Sequence, residues 1–211
     1  MATTILLVRH GQTEWNRIER FRGRYDVDLN LTGVMQAKLT ASCISKSWKP
    51  VAIYASPLAR AMKTAEYIAA ECHLKVEPDT GLVDIHYGDW QGLTPDEAKE
   101  KWPDLVNTWY HQPEKSSIPH GETLKEVQNR VVAAVSSIVA RHPDQQIVLV
   151  SHTVVNRVFL LSTLGVGLNR FWNIRQEPCA INLIERQGED DTICSLNVTC
   201  HLEELTRRKI E

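Results

Sequence analysis

The tightest constraint on this chain is an apolar run that ends abruptly in a cation. Ile5-Leu6-Leu7-Val8 is followed at once by Arg9, His10 and Gly11. Four successive apolar residues of this kind suit a strand buried on both faces, the pattern of a parallel sheet covered by helices. In open sheets of that class ligands sit beyond the carboxyl ends of the strands. The strand therefore delivers Arg9 and His10 to the rim where chemistry is done. Gly11 lets the backbone turn sharply and approach a ligand closely.

The same grammar recurs twice. Val51-Ala52-Ile53-Tyr54-Ala55 reads as a second buried strand and leads through Ser56-Pro57 into a helix that carries Arg60. Gln146-Ile147-Val148-Leu149-Val150 reads as a third and runs into Ser151-His152-Thr153. Helical periodicity fills the intervals. Thr32 is placed to cap a helix that stops at Trp48-Lys49-Pro50, and Ala61, Ala65, Ile68 and Ala69 recur at helical spacing after Pro57. Thr94 opens a helix to about Trp102, with Glu97 completing a capping box. Leu124, Val127, Val131, Val135 and Ile138 form one face of a helix from Glu122 to Arg141, and another helix follows from about Val154 to Leu164. Lys75 to Pro78 suits an edge strand. Ala180 to Arg186 and Thr192 to Val198 suit an antiparallel hairpin turning around Gly188-Glu189-Asp190-Asp191, and a charged tail ends the chain. The expected fold is α/β: a mostly parallel central sheet with helices on both faces, a small helical lid and a C-terminal antiparallel hairpin. One domain is expected over residues 1–211. Its lid is an insertion at about 93–120, the later part of which is polar, aromatic and punctuated by proline.

Composition narrows the function classes. A chain of 211 residues buries roughly 70% of its unfolded surface, so no disulfide or metal staple is needed. A net charge of -2 argues against general binding to nucleic acid or to a membrane surface. The five cysteines are odd in number and irregularly spaced, which points to a reducing, cytoplasmic setting. No run approaches a membrane span, and the N-terminal apolar run is too short for a signal peptide.

If the three strands lie side by side, their ends gather Arg9, His10, Arg60 and His152 around one small volume. Two guanidiniums specify a group with several oxygens and a full negative charge, and phosphate fits best. Neighbouring cations also hold a histidine in its neutral, nucleophilic form. A neutral histidine can attack phosphorus, while a second histidine donates to the phosphoryl oxygens as charge builds on them. A metal site is a weaker reading, since no carboxylate stands at ligand spacing beside either histidine.

Three segments together resemble the histidine phosphatase superfamily, also called the phosphoglycerate mutase-like family. They are Leu7-Val8-Arg9-His10-Gly11-Gln12-Thr13-Glu14-Trp15-Asn16, Ser56-Pro57-Leu58-Ala59-Arg60-Ala61-Met62-Lys63-Thr64-Ala65 and Val150-Ser151-His152. The resemblance implies that His10 becomes phosphohistidine and that Arg9, Arg60 and His152 form the phosphate pocket. It further implies that Asn16 hydrogen-bonds that pocket, with Thr153 beside it, and that no metal or other cofactor takes part. The family's proton donor precedes a Tyr-Gly-x-Trp-x-Gly motif, here Tyr87 to Gly92. The aligned acid is Asp84, where many members carry the longer glutamate; Asp89 is the next candidate. Arg22, Gly23 and Tyr87 are the candidate substrate contacts, and of the two extra cations in this loop, Arg22 and Arg24, one is suited to a second anion such as a substrate carboxylate.

The same pocket serves hydrolysis or, in phosphoglycerate mutases, return of the phosphoryl group to substrate. Mutases carry a longer insertion before the second histidine and usually glycine after it. Here the insertion is modest, His120-Gly121-Glu122-Thr123-Leu124 resembles the phosphatase branch, and Thr153 follows His152. Phe171-Trp172 and the ending Leu196 to Leu202 are similar to metal-independent phosphoserine phosphatases. The expected activity is therefore metal-independent hydrolysis of a small phosphorylated metabolite, phosphoserine-like or phosphoglycerate-like. The C-terminal hairpin and the Trp172 region are candidates for a homodimer contact.

Overall fold

A computed structural model describes residues 2–188 and 190–203. The charged tail and Glu189 of the hairpin turn lie outside the described residues. The strands are β1 (Thr3–Arg9), β2 (Ala52–Ala55), β3 (Val76–Pro78), β4 (Gln146–Ser151), β5 (Ile181–Gln187) and β6 (Asp190–Val198). They form one sheet in the order β3-β2-β4-β1-β5-β6. The first four are mutually parallel, and the β5–β6 hairpin adds to β1 in antiparallel fashion. The mostly parallel sheet and the hairpin agree with the sequence reading.

Alternation along each strand builds two cores. Ile5, Leu7, Ile147 and Leu149 face one side, where they meet α6 (Leu124–Ala140) and α7 (Thr153–Thr163). Leu6, Val8, Val148 and Val150 face the other, against α2 (Leu31–Ser47) and α3 (Ala59–Cys72). Each of these strand side chains is fully buried, and burying one of that size contributes about 1.5–3 kcal/mol. Among the described residues no helix is long and apolar enough to cross a membrane.

Caps decide where the helices begin, and two differ from expectation. Asn30, not Thr32, caps α2: its backbone is extended and its side-chain oxygen accepts from Gly33 N at 2.8 Å. The α3 helix starts at Ala59, two residues beyond Pro57, because its free N–H is met from another loop by Asp26 Oδ1 at 2.7 Å. The remaining helices are α1 (Glu14–Arg17), α4 (Pro95–Lys101) and α5 (Pro103–His111). The expected Thr94–Glu97 capping box opens α4.

Packing places its own demand on Gly11. A Cβ there would lie 2.6 Å from the carbonyl oxygen of Gly33, and one on Gly33 would lie 2.0 Å from that of Gln12. The loop after β1 thus packs backbone to backbone on the first turn of α2. Thr64 on α3 also accepts from Gly11 N at 3.1 Å. The loop after β1 is clamped between two helices.

Candidate active site

Register brings the strand ends level. Arg9 pairs with Ser151 and Ala55 with Val150, so His10, His152 and Ser56 each stand one residue past the end of a neighbouring strand. His10 N donates to Ser151 O at 2.9 Å, and Ser56 N to Val150 O at 3.0 Å. Both histidines are fully buried, with ring centroids 5.1 Å apart.

Hydrogen bonds fix the His10 tautomer. Its Nδ1 lies 2.7 Å from Gly11 O, an acceptor only, so Nδ1 carries the proton. The lone pair is left on Nε2, which is buried and makes no hydrogen bond to protein. Burial first, then Arg60, Arg9 and Arg22, hold its pKa well below 6.5. His152 Nε2 lies 2.7 Å from Ser56 Oγ, and its Nδ1, without a hydrogen-bond partner, lies 3.6 Å from Asp84 Oδ2. Burial first, then Arg60 and His10, depress this imidazole as well.

Two guanidiniums are bound from behind. Arg60 donates to Tyr25 O and Gly23 O, both at 2.8 Å, and to Asp84 Oδ2 at 3.1 Å. Arg9 donates through one terminal nitrogen to Gln176 O. The Gln176 carboxamide in turn exchanges two hydrogen bonds with buried Asn182, at 2.8 and 2.9 Å. Burial and then Arg22 pull Arg9 down to about 9, so it stays charged at neutral pH. The Nε atoms of Arg9 and Arg60, His10 Nε2, His152 Nδ1 and Thr153 Oγ1 are all buried without protein partners. Buried polar atoms are rarely left so. Their concentration around two strand ends is the signature of an oxyanion site, and Thr153 adds the N-terminus of α7 beside it.

Asp84 is buried against Arg60, and its position is set from α6. Arg130 donates to the backbone oxygens of Gly81, Val83 and Asp84 at 3.0, 2.7 and 3.2 Å. Glu122 holds Arg130 through both carboxylate oxygens and accepts from His86 N at 2.9 Å.

The structure therefore brings together His10, His152, Arg9, Arg60 and Asp84. Arg22, Tyr87 and Thr153 line a cleft of about 450 Å³ above them. Two further expected residues support the loops around the site. Asn16 Oδ1 accepts from Thr13 N and Thr13 Oγ1, both at 2.9 Å, and so braces the turn after His10. Gly23 lies beneath, its carbonyl spent on Arg60; its φ is +51°, and a Cβ there would lie 2.4 Å from Gln91 Oε1. The alternative acid Asp89 is half-exposed beside His120, outside the cleft lining. Ser56, Gln176, Arg130 and Arg157 were not foreseen. Arg157 follows Thr153 by one helical turn and so shares its face. That spacing was the available signal.

The family model of the histidine phosphatase superfamily (branch 1) matches residues 5–199. The chain belongs to that superfamily. It is 38% identical to phosphoserine phosphatase 1 of Hydrogenobacter thermophilus, over 95% of this chain and 94% of that one. It is 31% identical to the metal-independent phosphoserine phosphatase of Arabidopsis thaliana, over 95% and 83%. The solved structure of Bacillus stearothermophilus YhfR superposes with a TM-score of 0.91 at 30% identity, covering 95% of this chain and all of that one. As a histidine phosphatase, the chain is an enzyme that hydrolyses phosphate monoesters. The paired histidines and arginines at the sheet edge are the features through which membership was readable in the sequence.

Proposed function

We propose that this histidine phosphatase transfers the phosphoryl group of a small phosphorylated acid, phosphoserine-like or phosphoglycerate-like, through His10 to water without a metal. The observation that carries this is the His10 tautomer: Nδ1 committed to Gly11 O, Nε2 unprotonated and unpartnered among cations. The names of the two curated relatives support the substrate class. Arg9, Arg60 and His152 hold the phosphoryl oxygens, and these fixed charges stabilise the transition state without reorganisation. His10 Nε2 attacks phosphorus and the ester P–O bond breaks. Asp84 gives its proton to the departing oxygen. Asp84 then takes a proton from water, which attacks the phosphohistidine and releases phosphate with His10 restored.

Residues 93–120, with α4 and α5, form the lid of one catalytic domain; Pro95 and Tyr110 of this insertion line the cleft. The five unpaired cysteines support a cytoplasmic setting. The test is an acid-quench after brief exposure to labelled phosphoserine with excess chelator. An acid-labile label on His10 is expected, and His10→Ala should lose both label and turnover by at least about 10³-fold. Chelator-sensitive turnover, or a label elsewhere, overturns the mechanism. Formation of 2-phosphoglycerate from 3-phosphoglycerate and a trace of bisphosphate would instead identify a mutase.

A further inference from the structure

The cleft contains more positive charge than a phosphoryl group requires. Arg9 and Arg60 already face the oxyanion site, yet Arg22 and Arg157 stand in the wall above it. Among the described residues neither Arg22 nor Arg157 is in an ion pair. Each is instead anchored by one bond to a backbone oxygen. Arg22 donates to Trp15 O at 3.2 Å, and Arg157 Nε donates to Ile174 O at 2.7 Å. A guanidinium has five donors, so most of each fork is uncommitted. Arg22 Nε is buried with no partner at all.

Arg157 is also held in place. Its Cζ lies 5.0 Å from the ring centroids of both Phe171 and Trp172. Trp172 is fixed in turn by its indole N–H on Trp109 O at 2.9 Å and by stacking on Tyr110. An aromatic wall thus orients a cation without neutralising it. Both guanidiniums repel Arg9, and the nearby acids of the lining are engaged elsewhere, Asp84 with Arg60 and Glu177 with Arg175, so a further anion is favoured here. The phosphate has its own partners, so the anion is a second one.

We propose that Arg157 and Arg22 bind the carboxylate of the phosphorylated substrate and so select phosphate esters of hydroxy or amino acids. This rests on the phosphatase reading above. Spacing agrees with it. Thr153, beside the phosphate, and Arg157 are one α7 turn apart, about 6 Å along the axis. An extended three-carbon acid separates its phosphorus and carboxyl carbon by about 5 Å at ordinary bond lengths.

Matched substrates decide it. O-phosphoserine and O-phosphoethanolamine share a skeleton and an ammonium and differ by the carboxylate; 3-phosphoglycerate and glycerol 3-phosphate form a second pair. The wild type should favour the carboxylated member of at least one pair by about tenfold or more in kcat/KM. Arg157→Gln and Arg22→Gln should each reduce that preference by about 10- to 100-fold, the range of a charge-assisted hydrogen bond. A wild-type preference near unity in both pairs overturns the proposal even if a variant misfolds. Equal losses on both members of a pair overturn it too. Hydrolysis of p-nitrophenyl phosphate separates the failures: its presence with no preference removes the carboxylate site alone, and its absence removes the phosphatase reading with it.

Discussion

In the proposed mechanism Asp84 is the proton donor that completes the work of His10. It is buried, touches Arg60 at 3.1 Å and lies 3.6 Å from His152 Nδ1. A proton donor matters most when the leaving oxygen is a poor one. Asp84→Asn should therefore cut kcat about 10²- to 10⁴-fold on an alkyl phosphate such as phosphoserine and much less on p-nitrophenyl phosphate, whose phenolate departs unaided. Parallel kinetics on the two esters check this; equal losses would show that Asp84 serves only to hold Arg60. At this scale the sequence foresaw that Arg9, His10 and His152 would meet at neighbouring strand ends. It was silent on the partners of Asn16 and Gly23, whose motif positions were clear. The bonds they make, to Thr13 and to Arg60, are settled by local geometry that a motif does not encode.

Among the elements, α6 does more than cover the sheet. Arg130 projects from it to three backbone oxygens of the segment 81–84, and Glu122 just before the helix holds Arg130. Arg130→Met should leave those oxygens and Glu122 poorly satisfied, at a cost of about 2 kcal/mol or more. The expected result is a lower urea midpoint together with a kcat loss on phosphoserine larger than that on p-nitrophenyl phosphate, because it is Asp84 that moves. A loss of stability with unchanged discrimination between esters would refute the positioning role. The amphipathic stripe of α6 and the capping box of α4 were legible, because periodicity and capping are local. The start of α3 was not, since its cap comes from Asp26, 33 residues earlier.

For the molecule as a whole, two neutral imidazoles buried among guanidiniums make stability depend on pH. The folded values of His10 and His152 lie well below 6.5, with burial as the leading cause. Between those values and 6.5 the unfolded chain binds protons that the native state refuses. Stability is thus fully present above pH 6.5 and falls as pH drops below it, by up to about 1.4 kcal/mol per pH unit per histidine. Urea midpoints at pH 7.5 and pH 5 should differ accordingly, and the slope should be shallower in His10→Ala. A midpoint that holds or rises on acidification would contradict the buried neutral pair.

The order of strands and helices, the buried character of β1, β2 and β4, and the chemistry waiting at their ends were written in the sequence. Hydrophobic period and residue type act within a few residues of one another, so they can be read in a line. Which nitrogen of His10 is free, why Gly11 must be glycine, what holds Asp84 and how Arg157 comes to face the cleft were decided only in three dimensions. Each depends on a partner far along the chain, and a hydrogen bond or a backbone contact has no sequence signature until the fold has brought its two halves together.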